Sequence, residues 1–257
     1  MSLVPVTKMH GTRNDFVLVD ERTERISDFS EFAKSVCDRH TGVGADGILV
    51  VLPSATADIR MRIFNADGSE AEMCGNGIRC VAAYVREEGG AADLKVQTMG
   101  GPIETTVISG APNYAVRVKM GTPKFGKSDK LGDDVAFVSL GNPHIVLFAK
   151  SFEDIELDDI GPKYNAQIPG GTNVHVAVKS GPSRLLVRHW ERGVGKTMAC
   201  GTGAVACAAA GIQRGDCKSP VEVNVPGGRL LVEWNDAGEA TLEGPAVRVF
   251  DTEFPLP

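Results

Sequence analysis

The sequence contains no run of five like charges, no basic stripe and no Cys-x-x-Cys spacing. With 27 basic against 33 acidic residues the net charge is −6, so the electrostatic footprint of a nucleic-acid binder is missing. Without closely paired cysteines the usual ligand pattern of a structural zinc site is missing too. Residues 1–8 (MSLVPVTK) lack the apolar segment of a signal peptide. The uncharged stretch Met198 to Ile212 is mostly Ala and Gly, too short and too weakly apolar to span a bilayer. From these absences we expect a cytoplasmic protein that meets neither membrane nor nucleic acid, with its 6 cysteines kept as thiols. What is present is ordinary for a soluble globular chain: 42% hydrophobic and 23% charged residues. The 257 residues can bury a core in one or two domains. Glycine stands out at 30 of 257, about 12%, against roughly 7% on average. Many backbone sites must therefore turn sharply or approach a neighbour closely.

The chain is written twice. Cys74-Gly75-Asn76-Gly77 returns as Cys200-Gly201-Thr202-Gly203, 126 positions later. Arg62-Ile63-Phe64 aligns with Arg188-His189-Trp190 at the same offset. At an offset of 127, Ile78, Val81, Ala82 and Val85 pair with Val205, Ala208, Ala209 and Ile212, each set spaced as the apolar stripe of one helix face. Leu94 to Gln97 likewise matches Val221 to Asn224. Each half reads strand, loop, Cys-Gly-x-Gly, helix, strand. The first helix is expected to stop near Gly89-Gly90 and the second near Gly215. Strands are expected at 15–20, 47–52, 58–63, 114–119, 145–149, 174–178, 185–188 and 229–234. The pattern predicts an α+β protein of two pseudosymmetric domains, each a curved or barrel-like, mainly antiparallel sheet around one central helix. Residues 1–119 would carry Cys74, completed by about 248–257. Residues 120–247 would carry Cys200, with the boundary in the Pro- and Gly-containing stretch Met120 to Gly132.

Glycines at a helix start leave the first N–H groups free to face a ligand, and the macrodipole adds partial positive charge. That is an anion site suited to a carboxylate. A thiol at the same place is expected to have a lowered pKa. Each half then holds one activated sulfur beside one carboxylate-binding loop. If the halves face each other, two thiols flank one substrate, as inversion of a stereocentre α to a carboxylate requires: a base on one side, an acid on the other. The helix N-termini can stabilise charge spreading from Cα into the carboxylate. The scheme needs no cofactor and no metal.

Blander readings stand beside these. Cys37, Cys80, Cys207 and Cys217 read as packing. Asn65 could form a turn with Asp67-Gly68, and Asn14 and Asn173 carry the same reading. Glu191-Arg192 could be a solvated surface pair. His10, His40, His175 and His189 read as structural or exposed. Gly201-Thr202-Gly203-Ala204-Val205-Ala206 fits a dinucleotide fingerprint, but no clean apolar strand immediately precedes it. A pure amino-acid-binding protein would need no paired thiols.

The motifs His10-Gly11-x-x-Asn14-Asp15-Phe16, Phe64 to Ser69, Cys74-Gly75-Asn76-Gly77-x-Arg79-Cys80, Gly141-Asn142-Pro143-His144, Glu191-Arg192-Gly193 and Ala199 to Ala204 resemble the diaminopimelate epimerase family. They run in order over nearly the whole chain. The resemblance implies a cofactor-independent isomerase with two pseudosymmetric domains and an active site between them. It implies interconversion of LL- and meso-diaminopimelate, a step of lysine and peptidoglycan precursor synthesis, by a cytoplasmic homodimer. It implies Cys74 and Cys200 as the acid–base pair, with His144 and Glu191 supporting the thiols or the reacting amino group. Gly75, Asn76, Gly201 and Thr202 would bind the carboxylate of the reacting centre. Asn14, Asn65, Asn142, Asn173, Glu191 and Arg192 would complete the substrate pocket, an Arg serving the carboxylate of the second amino-acid head. The alternative is a related racemase of another amino acid such as histidine. Three departures from the family pattern bear on the finer contacts: Thr12-Arg13 where many members have Leu-Gly, Gly47 where some have a substrate-contacting Gln, and His175 where a less basic residue is expected.

Overall fold

A computed structural model describes residues 2–23, 26–126, 134–153 and 155–256. The chain divides into two compact units, residues 1–118 with 244–257, and residues 119–243. The expected boundary stretch, 120–132, lies partly outside the described residues.

The first unit contains β1 (Leu3–Gly11), β2 (Asn14–Asp20), α1 (Phe29–Cys37), β3 (Gly47–Leu52), β4 (Ile59–Asn65), the two-residue β5 (Glu70–Ala71), α2 (Gly75–Glu87), β6 (Asp93–Thr98), β7 (Gly101–Ser109) and β8 (Asn113–Gly121). The second contains β9 (Lys124–Gly126), β10 (Val135–Ser139), β11 (Pro143–Ala149), α3 (Leu157–Asn165), β12 (Asn173–Gly181), β13 (Arg184–Glu191), β14 (Gly195–Thr197), α4 (Gly201–Gln213), β15 (Val221–Val225) and β16 (Gly228–Trp234). The last strand, β17 (Ala240–Pro255), gives Ala240 to Glu243 to β16 and Val247 to Pro255 to β1.

In the first unit, pairing runs β1–β2–β3–β4–β6–β7–β8, and β17 pairs with both β8 and β1. That closes an eight-stranded barrel with no free sheet edge. In the second unit the ladder runs β9–β10–β11–β12–β13–β15–β16–β17. Pairing is mainly antiparallel. The exceptions recur: β2 with β3 and β11 with β12 are parallel, each joined through a helix, and so are β4 with β6 and β13 with β15. A parallel pair needs such a crossover, because a tight turn can join only antiparallel strands.

The sequence repeat is thus a repeat of topology. Helix α2 packs on β1, β2, β3, β4 and β7, and α4 on β10, β11, β12, β13, β15 and β16. Helix α4 is buried on almost every side because Ala, Gly, Cys and Val supply its surface, as an interior helix demands. Both helices end on a left-handed glycine, Gly89 (φ 87°) and Gly215 (φ 78°), placed to satisfy the last carbonyls. The two shorter helices, α1 and α3, carry no glycine-rich signature and were not expected from the sequence. Helix α1 starts where the Asp28 side chain accepts from the Glu31 N–H.

Candidate active site

In each unit a cysteine is the residue immediately before the central helix. Cys74 (φ −140°, ψ 119°) and Cys200 (φ −124°, ψ 114°) are extended N-caps of helices of 13 residues each. The Gly77 N–H donates to Cys74 Sγ at 3.4 Å, and the Gly203 N–H donates to Cys200 Sγ at 3.4 Å. Glycine leaves room for a neighbouring side chain at both third positions. A Cβ on Gly77 would lie 2.7 Å from Leu49 Cδ2, and one on Gly203 would lie 2.4 Å from the His175 ring. The first-turn N–H groups of Gly75 and Asn76, and of Gly201 and Thr202, are those for which a helix offers no partner.

Around Cys74, the residue heading β2 is the organiser. Asn14 Oδ1 accepts from the Asn76 amide at 3.1 Å and from the Cys74 thiol at 3.7 Å. Asn76 Oδ1 in turn accepts from Thr12 (3.2 Å) and from Arg79 (3.0 Å). Arg79 is fully buried, and it also donates to the Gly75 carbonyl (2.9 Å), Thr12 Oγ1 (3.1 Å) and the Pro245 carbonyl (3.2 Å). Burial works against the Arg79 cation, while the Cys74 and Cys80 sulfurs favour it. Neither Thr12 nor Arg79 was assigned a role from the sequence. Arg79 stood inside the Cys-Gly-x-Gly-x-Arg motif as the signal that could have marked it.

Around Cys200, the carboxylate of Glu191, at the end of β13, lies beside the thiol, with the Thr202 hydroxyl 3.6 Å from the sulfur. The expectation of a lowered thiol pKa is overturned here. Burial pushes the Cys200 thiol well up, and the Glu191 carboxylate pushes it further. The Thr202 and Gly203 donors pull the other way. The helix N-terminus is outweighed because the sulfur is desolvated and faces an anion. Burial also raises the Glu191 carboxyl, against the opposing pull of neighbouring Thr197 and Cys200.

Asn142 donates to Thr202 Oγ1 at 3.5 Å, and its Oδ1 is 2.9 Å from His144 Nε2. Asn173 donates to the Pro143 carbonyl at 3.1 Å and accepts from the Arg192 N–H at 3.1 Å. The Arg192 side chain lies over Gly171 and donates to the Gly170 carbonyl at 2.7 Å. Its guanidinium is exposed and has no carboxylate partner among the described residues. Glu191 and Arg192 therefore do not pair with each other.

Asn65 closes the turn at the end of β4. Its amide donates to Ser69 Oγ at 2.9 Å, and its carbonyl accepts from Gly68. Gly47 cannot carry a side chain, since a Cβ there would lie 2.4 Å from the Phe64 carbonyl. The remaining cysteines, 37, 80, 207 and 217, are buried. Burial raises all four thiols, Cys37 and Cys80 to about 12. His175 and His189 are fully buried and hydrogen-bonded, whereas His40 is exposed. Among the described residues no group of three His, Cys, Asp or Glu is arranged to hold a metal ion, and no helix is long and apolar enough to cross a membrane.

Comparison with known proteins agrees with this architecture. The family model for diaminopimelate epimerase matches residues 6–126 and 136–249. A diaminopimelate epimerase of Desulforudis audaxviator is 44% identical, covering 96% of this chain and 98% of that one. One from Desulfitobacterium hafniense is 41% identical over 95% and 96%. Among solved structures, a phenazine biosynthesis protein of the PhzF family from Bacillus anthracis shares the fold at a TM-score of 0.80 and 18% identity, covering 100% of both chains. A hydroxyproline epimerase from Agrobacterium vitis does so at 0.72 and 14%, covering 99% of this chain and 91% of that one. With two repeated units, a cysteine capping the central helix of each, and this likeness over almost its whole length, the chain belongs to the diaminopimelate epimerase family.

Proposed function

We propose that the chain interconverts LL- and meso-diaminopimelate by proton transfer at Cα, with Cys74 and Cys200 as the acid–base pair. The observation that carries the reading is the pair of cysteines at identical cap positions of two topologically equal units, in a chain of this family. One sulfur, as thiolate, takes the α-proton and becomes a thiol. The electron pair left on Cα spreads into the substrate carboxylate. The other thiol gives its proton to the opposite face of the same carbon, so thiol and thiolate have exchanged roles and the configuration is inverted. The sulfur–hydrogen bonds broken and formed balance, and no oxidant or reductant enters.

The surroundings fit the two stages. First-turn N–H groups at Gly75, Asn76, Gly201 and Thr202 suit a carboxylate whose charge grows during the reaction. Glu191, its carboxyl raised by burial beside Cys200, accepts the thiol proton when Cys200 must act as base. His144 orients Asn142 and through it Thr202. Arg192, whose guanidinium has no carboxylate partner among the described residues, serves the carboxylate of the second amino-acid head, with Asn14, Asn65 and Asn173 as further polar contacts. The enzyme works in the cytoplasm as a homodimer and supplies the meso isomer for lysine and peptidoglycan precursor synthesis.

The test is incubation with LL-diaminopimelate and a panel of amino acids, histidine included, in heavy water. Deuterium entering Cα of diaminopimelate, together with appearance of the meso isomer, is the expected result. Exchange confined to another amino acid would replace the substrate. No exchange anywhere would remove the proton-transfer reading.

A further inference from the structure

Behind Cys200 lies a chain of three imidazoles. His144 Nδ1 is 2.9 Å from His175 Nε2, and His175 Nδ1 is 2.8 Å from His189 Nδ1. The rings sit close, with centroids 5.1 and 4.8 Å apart, the first pair tilted at 32° and the second edge-on at 79°. All three side chains are buried to within 1% of full cover. Among the described residues His189 Nε2, at the far end, has no partner. At the near end the chain continues through Asn142 to Thr202 and the Cys200 sulfur.

The chain has a direction. Asn142 Oδ1 faces His144, so His144 Nε2 carries the proton and donates. A neutral imidazole that donates at one nitrogen accepts at the other. His144 Nδ1 therefore accepts from the His175 Nε2–H, and His175 Nδ1 accepts from the His189 Nδ1–H. The Asn142 amide then donates to Thr202 Oγ1, which frees the Thr202 hydrogen for the Cys200 sulfur. Every donor points toward Cys200. The end left over is a lone pair on His189, and a buried lone pair is better tolerated than a buried N–H. Burial keeps all three rings neutral: His144 and His189 are pushed down to about 3, and His175 is held well below the usual range. Bonds aligned this way polarise one another. His175 also touches the cap directly, since its ring fills the space beside Gly203, whose N–H donates to the sulfur.

The other half shows that the fold does not need this chain. By ladder register, His144, His175 and His189 occupy the places of Phe16, Leu49 and Ile63, all three apolar and buried. Leu49 fills the space beside Gly77 as His175 does beside Gly203. A hydrocarbon core suffices there for packing, so packing alone does not call for three histidines.

We infer that His175 and His189 are positioning residues for Cys200, forming with His144 a one-way hydrogen-bond relay that fixes the Asn142 amide and turns the Thr202 hydroxyl onto the sulfur, stabilising its thiolate. This rests on the reading of Cys200 as an acid–base group. Measuring ring tautomers and thiol reactivity separately from turnover keeps the two distinguishable.

The first experiment is 15N NMR of histidine-labelled protein at neutral pH. Neutral rings protonated at Nε2 in His144 and His175 and at Nδ1 in His189 are expected. The reverse tautomers, or an imidazolium in the chain, would overturn the relay. The second compares His189→Phe, which fills the space but removes the donor, with His189→Asn, whose amide nitrogen sits near the place of Nδ1. In the Phe variant, alkylation of Cys200 at fixed pH should slow roughly threefold to tenfold, the effect of a rise of half to one unit in the pH midpoint. kcat should fall with it, KM should hold and Cys74 alkylation should be unchanged. The Asn variant should recover most of the loss. An unchanged Cys200 profile in the Phe variant, or equal slowing at Cys74, would show that His189 is only core.

Discussion

The two halves use one backbone device and support it in opposite ways. Under Cys74 the strands supply hydrocarbon, and the polar support comes from the helix: Arg79 reaches back to Gly75, Asn76 and Thr12. Under Cys200 the helix is apolar: counted from the capping cysteine, the fifth residue is Val205 where α2 has Arg79, and the polar support comes from the strands as His144, His175 and His189. In both, an asparagine at the start of β2 or just before β11, Asn14 or Asn142, is bonded to the second helical residue, Asn76 or Thr202. What the fold conserves between its halves is the position of the residue after the cysteine. What it leaves free is the charge beside the sulfur: a buried guanidinium in one half, a carboxylate in the other. Two thiols of different electrostatics suit a reaction whose two sulfurs are never in the same protonation state.

The largest effect should come from removing either sulfur. Cys74→Ala and Cys200→Ala are each expected to lower epimerisation by at least the ~10²–10⁴ typical of a lost acid or base, with folding retained. If one variant kept more than about a tenth of the wild-type rate, only one half would carry proton transfer and the comparison would collapse.

Acid separates the halves next. A base whose folded pKa lies below its unfolded value near 6.5 contributes stability that is fully present above 6.5 and lost as pH falls toward the folded value. For His144 and His189 that value is about 3, and His175 moves the same way. By pH 5.5 His144 and His189 each cost on the order of 1 kcal/mol, and His175 adds in the same direction. Denaturant unfolding at pH 7.5 and 5.5 measures this, and an unchanged midpoint would mean that the chain accepts protons while folded. No comparable loss arises from Phe16, Leu49 and Ile63.

The ends of the equivalent strands β4 and β13 also differ: Asn65 in one, Glu191 followed by Arg192 in the other. Arg192→Lys keeps the charge but loses the planar fork. We expect kcat/KM for diaminopimelate to fall about 10- to 100-fold, the worth of a charge-assisted hydrogen bond of ~1.5–3 kcal/mol, while both thiols remain open to alkylation. Unchanged kinetics would place Arg192 outside the substrate contacts.

This pattern bears on what could be read in advance. The repeat, the two cysteine-capped helices and most strands were legible because glycine placement and apolar periodicity are local properties of the chain. Helices α1 and α3 were missed, being short and lacking that punctuation. The raised Cys200 thiol was missed because helix-end electrostatics is written in the sequence, whereas the burial and the Glu191 carboxylate that defeat it come from elements distant in sequence. His175 and His189 read as bland for the same reason: single histidines on separate strands say nothing until the ladder register lines them up.

A smaller effect distinguishes the thiols themselves. Cys74 is half-buried and near Arg79, whereas Cys200 is buried beside a carboxylate. In the free enzyme at neutral pH, iodoacetamide should modify Cys74 about tenfold faster than Cys200, since reactivity follows thiolate character and access. Equal rates by peptide mapping would erase the electrostatic difference between the halves.

The smallest effect lies in the hairpin that feeds the Cys74 cap. Gly11 pairs with Asn14 across a two-residue turn, and both turn residues are left-handed: Thr12 at φ 52° and Arg13 at φ 64°. A side chain in that conformation costs ~1–2 kcal/mol, yet the two residues are not equivalent. Thr12 is buried and bonded to Asn76 and Arg79, so its conformation is held by the cap network. Arg13 is exposed. In the second half, the residue preceding Asn142 is Gly141 (φ 93°), which takes the left-handed region freely. Arg13→Gly copies that half. Relief of strain outweighs the ~0.5–1 kcal/mol entropic cost of glycine, leaving a gain of about 0.5 kcal/mol. Thr12→Gly should instead lose stability, because two hydrogen bonds worth ~1 kcal/mol each exceed the relief, and it should slow turnover through Asn76. Denaturation midpoints for the two variants decide the matter. A stabilising Thr12→Gly with full activity would show that the cap does not depend on this hairpin.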